Sequence, residues 1–140
     1  MLALVGWVHR ALLDRGGLTP GELADGLEAL TRQVEALPFD VDWPEPLPRE
    51  EASGLRARVA GVWSEVGWYD PATGRGLSPC ALPEEIGDAL DDLSNLALDL
   101  GTAVALAETD ARAALSWLRW SHDTHWADHA RVTRHLRWLG

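Results

Sequence analysis

The sequence predicts an all-α protein, an antiparallel bundle of about five helices forming a single domain over residues 1–140. Three observations carry this expectation. Apolar residues recur at the 3.6-residue helical period almost throughout. No stretch alternates apolar and polar residues as a half-buried strand does. Two segments rich in Pro and Gly, 38–49 and 67–79, break the helical pattern and serve as connectors.

The first helix is expected near 2–15, with Leu2, Val5, Val8, Leu12 and Leu13 on one face and a stop at Gly16-Gly17. The second spans 20–36. Thr19 caps it, Pro20 takes the first helical position and Glu22 completes a capping box. Leu23, Leu27, Leu30, Val34 and Leu37 then face inward. The connector PFDVDWPEPLPR, 38–49, has four prolines in twelve residues and must be extended.

A third helix over 50–65 turns Leu55, Val59 and Val62 inward. The fourth is expected over 83–106, starting near Pro83, where Glu84 and Glu85 suit an acidic first turn. Ile86, Leu90, Leu93, Ala97, Leu100 and Val104 line its dry side. Asp88, Asp91, Asp92, Asn95 and Asp99 read as its solvated face. The last helix covers 110–138 and, with the fourth, makes a long C-terminal αα-hairpin.

Composition excludes several functions. A net charge of −10 opposes nucleic acid and anionic membrane surfaces alike. All twelve basic residues are Arg, so no Lys can act as Schiff base or phosphate-loop cation. The lone Cys80 gives neither a disulfide framework nor a thiolate zinc site. The apolar stretch at the start is short and lacks a basic lead, which reads as a cytoplasmic protein.

WSHDTHWADHA, 120–130, is the one stretch with chemical promise. His122, His125 and His129 interrupt the stripe of Ala114, Leu115, Leu118, Val132 and Leu136, and so should face the bundle. His9 lies in the apolar sector of the first helix, whereas His135 falls among arginines and reads as surface. The expected role is a hydrogen-bonded polar network, since buried imidazoles need partners. The alternative is a metal site, zinc by preference, with His125 and His129 as a pair one turn apart and His122 or His9 as third ligand. Such a site would belong to a metal-dependent hydrolase-like protein, although the Glu of the H-E-x-x-H pattern is missing.

Eight tryptophans form the second unusual feature. Trp7 and Trp63 border the core, and Trp43 and Trp68 should pin the connectors. Trp120, Trp126 and Trp138 fall on the side of the last helix away from the histidines, among Arg131, Arg134 and Arg137. Either the connectors cover this face or it is an interface for a protein partner. The expectation leans toward a two-fold homodimer, with the acidic Asp88–Asp92–Asp99 face meeting those arginines.

WLRWSHDTHWADH, 117–129, resembles a family of short bacterial proteins catalogued as a domain of unknown function, number five-zero-six-three. That family carries a W-x-W-R-x-S-x-x-x-H-W-x-x-H type of run. Trp117, Trp120, Ser121, His125, Trp126 and His129 fit it, with Arg119 before the second Trp instead of after it. GWYDPATG, 67–74, and IGDALDDLSNL, 86–96, resemble its aromatic and acidic Leu-rich segments, so the likeness covers roughly 65–140. It implies a bacterial, cytoplasmic, all-α protein with no established activity, and a His/Trp run that belongs to the family's design. Together these readings predict a non-enzymatic binding or interaction module.

Overall fold

The computed structural model describes residues 1–78 and 80–140, and its architecture is all-α. Helix α1, Leu2–Leu13, ends where Asp14 turns extended. The chain then reverses through Gly16 and Gly17 at φ 58° and 85°, a region that a Cβ disfavours. Helix α2, Pro20–Glu35, begins with both bonds of the Thr19/Glu22 capping box in place. Its stripe Leu23, Leu27, Leu30 and Val34 is completely buried.

Helix α3, Ala52–Val62, is shorter at both ends than the sequence suggests. It stops at Trp63, which is fully buried and donates its indole N–H to the Ala11 carbonyl at 3.1 Å. Helix α4, Ala89–Ala107, is the central element, packed against α1, α3 and α5, the last running from Ala111 to Ser121.

Helix α4 begins at Ala89, not Pro83, with the Asp88 carboxylate accepting the Asp91 N–H at 3.3 Å. The residues just before it pair instead. β1, Trp68–Tyr69, and β2, Gly87–Asp88, form a small antiparallel sheet with Trp68 opposite Asp88 and Tyr69 opposite Gly87. Two residues per strand leave no alternation to read. Ile86 accordingly misses the core and is 41% exposed, and Trp68 is exposed instead of pinning its connector.

The last helix runs to Leu139 but changes character on the way. A π-helical turn at His122–Trp126, in which the Ala127 N–H reaches back to the His122 carbonyl, succeeds α5. Then come α6, Ala127–His129, a 3₁₀ turn at Ala130–Val132, and α7, Thr133–Leu139, which packs on α2. A π turn takes one residue more than an α turn, so the stretch between it and the 3₁₀ turn is rotated by about 100° from a regular wheel. The core stripe of Ala114 and Leu118 therefore continues through Trp126, which is completely buried, instead of through His125. This corrects the placing of Trp126 on an outer face.

Candidate functional site

Helix α4 and the last helix are joined by two aspartate–histidine pairs. The Asp99 carboxylate, 2% exposed, takes a hydrogen bond from Nδ1 of His125 at 2.5 Å. The Asp92 carboxylate, 4% exposed, takes one from Nδ1 of His129 at 2.8 Å. Seven residues separate the aspartates, two turns of α4, and four separate the histidines, one turn of the facing helix. Asp92 and Asp99 are thus not part of a solvated acidic face. They border the buried Leu93 and Leu100, and the imidazoles opposite supply the hydrogen bonds that a buried carboxylate requires.

Ionised carboxylates only accept, so each pair puts the histidine proton on Nδ1. In the neutral form of either ring, Nε2 then carries the free lone pair. Among the described residues neither Nε2 has a hydrogen-bond partner, and neither is sealed from solvent. The hydrogen bond to Asp92 raises the His129 pKa against the opposing effect of burial, with the Asp91 and Asp99 charges adding to it. Asp92 also accepts the Tyr69 hydroxyl at 2.5 Å, and burial together with that contact pushes the phenol well above its ordinary range.

A cleft of about 580 Å³ opens beside the first pair. It is lined by Asp99 of α4, by Trp117, Trp120, Ser121, Thr124 and His125 of the last helix, and by Trp43, Glu45, Leu47 and Arg49 of the Pro-rich connector. Three indoles meet there, with ring centres 5.4 Å apart for Trp43–Trp117, 5.3 Å for Trp43–Trp120 and 5.5 Å for Trp117–Trp120. The Pro-rich connector is tied down as a wall. The Asp42 N–H donates to Ser116 Oγ at 2.8 Å and Thr102 Oγ1 donates to the Pro48 carbonyl at 2.7 Å. Arg49 reaches Asp99 at 3.3 Å, and the Trp117 indole donates to the Asp99 carbonyl at 2.9 Å.

The third ligand expected beside His125 and His129, His122 or His9, has other neighbours. His125 and His129 stay together, ring centres 5.0 Å apart, though the His125 side chain is 41% exposed instead of substantially buried. His122 lies against Trp126, bonded to Asp123 at 2.7 Å, with Nε2 3.8 Å from Glu35 of α2. His9 sits beside Gly101 and Glu50, its Nε2 buried without a partner and its pKa lowered by burial. Spacing places imidazoles on a helix face, but only the opposite helix decides which of them meet.

His135 is not a surface residue. It is 2% exposed, donates Nδ1–H to the Gly74 carbonyl at 2.9 Å and accepts the Gly67 N–H at 3.2 Å. Its ring stacks between Tyr69 and Trp138. The loop after β1 comes back over the end of the chain, which a helical wheel cannot register.

The proposed Trp/Arg face is largely consumed within the chain. Trp126 is in the core, and Trp120 is partly buried beneath Trp43; Trp138 remains 52% exposed. Arg131 pairs with Glu85 at 2.9 Å, and Arg137 with Glu28 at 2.7 Å and Asp25 at 3.0 Å. Arg134 donates to the Pro71 and Ala72 carbonyls at 2.9 and 3.3 Å. The acidic partners expected from a second subunit are thus in part supplied by α2 and by the segment before β2. Among the described residues no helix is long and apolar enough to cross a membrane.

Comparisons with protein-family models, with curated proteins and with solved structures find no match.

Proposed function

We propose that this protein is a non-enzymatic binding module whose ligand is a small planar compound with an apolar ring and one polar edge. The observation that carries the reading is His125. Its Nδ1 is anchored on the buried Asp99, and it lines the cleft beside the three indoles with no hydrogen bond at Nε2 among the described residues. Ligand sites are typically apolar concavities with a few convergent polar groups. Here three indoles supply the apolar lining, while Arg49 and His125 both bond the Asp99 carboxylate in the same lining.

The chemistry fits a ring that stacks on an indole and offers its polar edge to Arg49 and His125. The guanidinium only donates, and an unprotonated Nε2 accepts. A π turn next to such a cleft also supports the reading, because these distortions recur at functional sites. The protein–protein role expected from the Trp/Arg face loses support from the intrachain partners of those residues.

The reading is tested by following the indole N–H and imidazole signals in ¹⁵N–¹H spectra during titration with benzoate, phenol and benzylamine. Binding in the cleft moves Trp43, Trp117, Trp120 and His125 together and leaves Trp7 and Trp63 unmoved, and Trp120→Ala abolishes the response. Saturating amounts of all three compounds leaving these signals in place would overturn it.

A further inference from the structure

We propose that His125 and His129 form a divalent-metal site, zinc by preference, in which both Nε2 atoms are ligands and Asp99 and Asp92 hold the rings from behind. This goes beyond ligand binding in the cleft: it shares the anchored His125 with that reading and adds the His129–Asp92 pair and the geometry of the two rings. Metal-bound imidazoles characteristically donate their other ring N–H to a carboxylate, which fixes the tautomer and strengthens the ligating nitrogen. Here that arrangement occurs twice, on neighbouring rings, with carboxylates that are almost completely buried.

The separation of the rings agrees. Zinc–nitrogen bonds of about 2.0–2.1 Å in a tetrahedral shell put the centres of two ligating imidazoles about 5 Å apart. The rings of His125 and His129 are 5.0 Å apart and nearly perpendicular, with an interplanar angle of 81°. Their spacing of four residues holds both on one side of the helix, and both Nε2 atoms are unpartnered among the described residues. Two protein nitrogens leave the other positions to water or to an outside donor. The surroundings favour a cation, since the Asp91 and Asp92 carboxylates lie 4.0 and 2.8 Å from the His129 ring.

A competing arrangement is present and can be told apart. Asp91, Asp92 and His129 place one ligand atom each within 4.8 Å of one another, but the His129 nitrogen beside both carboxylates is Nδ1, at 4.0 and 2.8 Å, and it is already committed to Asp92. The two arrangements differ in whether His125 takes part and in which His129 nitrogen binds.

The test is titration of the untagged, chelator-treated chain with zinc and with cobalt(II), without any organic ligand, so that its outcome is independent of the cleft. One equivalent is expected to bind, with cobalt showing the visible bands of a tetrahedral N/O site. On adding zinc to the unmodified protein, both Nε2 resonances shift far more than either Nδ1, and both Nδ1–H protons are retained. His125→Gln and His129→Gln each lose the site, while His122→Gln and His9→Gln retain it. Asp99→Asn and Asp92→Asn weaken it by roughly tenfold or more, as loss of an orienting carboxylate does. Thermal melts of the metal-free variants separate lost binding from lost fold, and the Nε2 shift needs no variant at all. The absence of stoichiometric binding, unchanged binding in His125→Gln, or loss of the His129 Nδ1–H proton on adding zinc would each overturn the proposal.

Discussion

Tyr69 and Asp92 are joined at 2.5 Å across the inside of the molecule, the phenol on the two-stranded sheet and the carboxylate on α4. Both are buried, so the bond ties the non-helical segment to the central helix where water cannot replace it. Tyr69→Phe removes the donor yet leaves Asp92 its bond to His129. The lost bond gives an expected cost of about 1–3 kcal/mol. Asp92→Ala, which strands both Tyr69 and His129, should cost more than Tyr69→Phe. Urea unfolding of the two variants beside the parent measures both, and equal losses would contradict the shared carboxylate.

The raised pKa of His129 predicts a signed pH dependence. Because the folded state holds this proton more tightly than the unfolded chain, the pair stabilises fully below the unfolded imidazole value of about 6.5. That contribution is lost as pH rises through the higher folded value. His9 and His135 are shifted the other way by burial and weaken the fold on acidification, so total stability mixes opposite trends. The difference between the parent and His129→Gln isolates the pair. It should be larger at about pH 6 than at about pH 9 in paired melts, above the range where carboxylates titrate.

Two tryptophans of the same helix should behave in opposite ways. Trp126 is completely buried and bonded to Ser121 at 3.0 Å, so Trp126→Ala is expected to cost about 3–5 kcal/mol. Trp138 is half exposed, and Trp138→Ala should cost about 1 kcal/mol or less. Chemical denaturation of both decides between this geometry and the outward placement of Trp126 that a regular helix gives.

Gly87 is the one residue for which the small sheet leaves no choice. A Cβ there would stand 2.4 Å from the Tyr69 ring. Gly87→Ala should therefore destabilise by about 1–3 kcal/mol through overpacking. It should also broaden or shift the Tyr69 ring resonances, whereas Gly61→Ala, in open space on α3, should leave them in place.

The helices were legible because their signals are local. The Thr19 cap, the Leu23–Val34 stripe and the Gly16-Gly17 stop each lie within a few residues of what they determine. The site was only half legible. The motif at 120–130 pointed to His125 and His129, but their partners are on α4, where alternating Asp and Leu look like an ordinary amphipathic helix. One signal was present: Asp92 and Asp99 stand directly before Leu93 and Leu100, at the border of the dry stripe instead of its centre opposite. The cleft was illegible, since its walls come from segments about seventy residues apart, as the 74-residue separation of Asp42 and Ser116 illustrates. The π turn left no trace in residue type, and from it came the wrong face for Trp126.

The last helix contains one turn wider than an α turn and, a few residues later, one that is tighter. The first delays the rotation of the chain and the second advances it, so their angular errors largely cancel. Val132 and Leu136 consequently return to the core as though the helix had been regular throughout, while only the stretch between the two turns is displaced. The last helix thus works like a vernier. His125 and His129 are swung sideways against α4, and α7 still docks on α2. Straightening either turn alone would leave the terminal helix out of step with its groove, which couples the placement of the two imidazoles to the closure of the whole bundle.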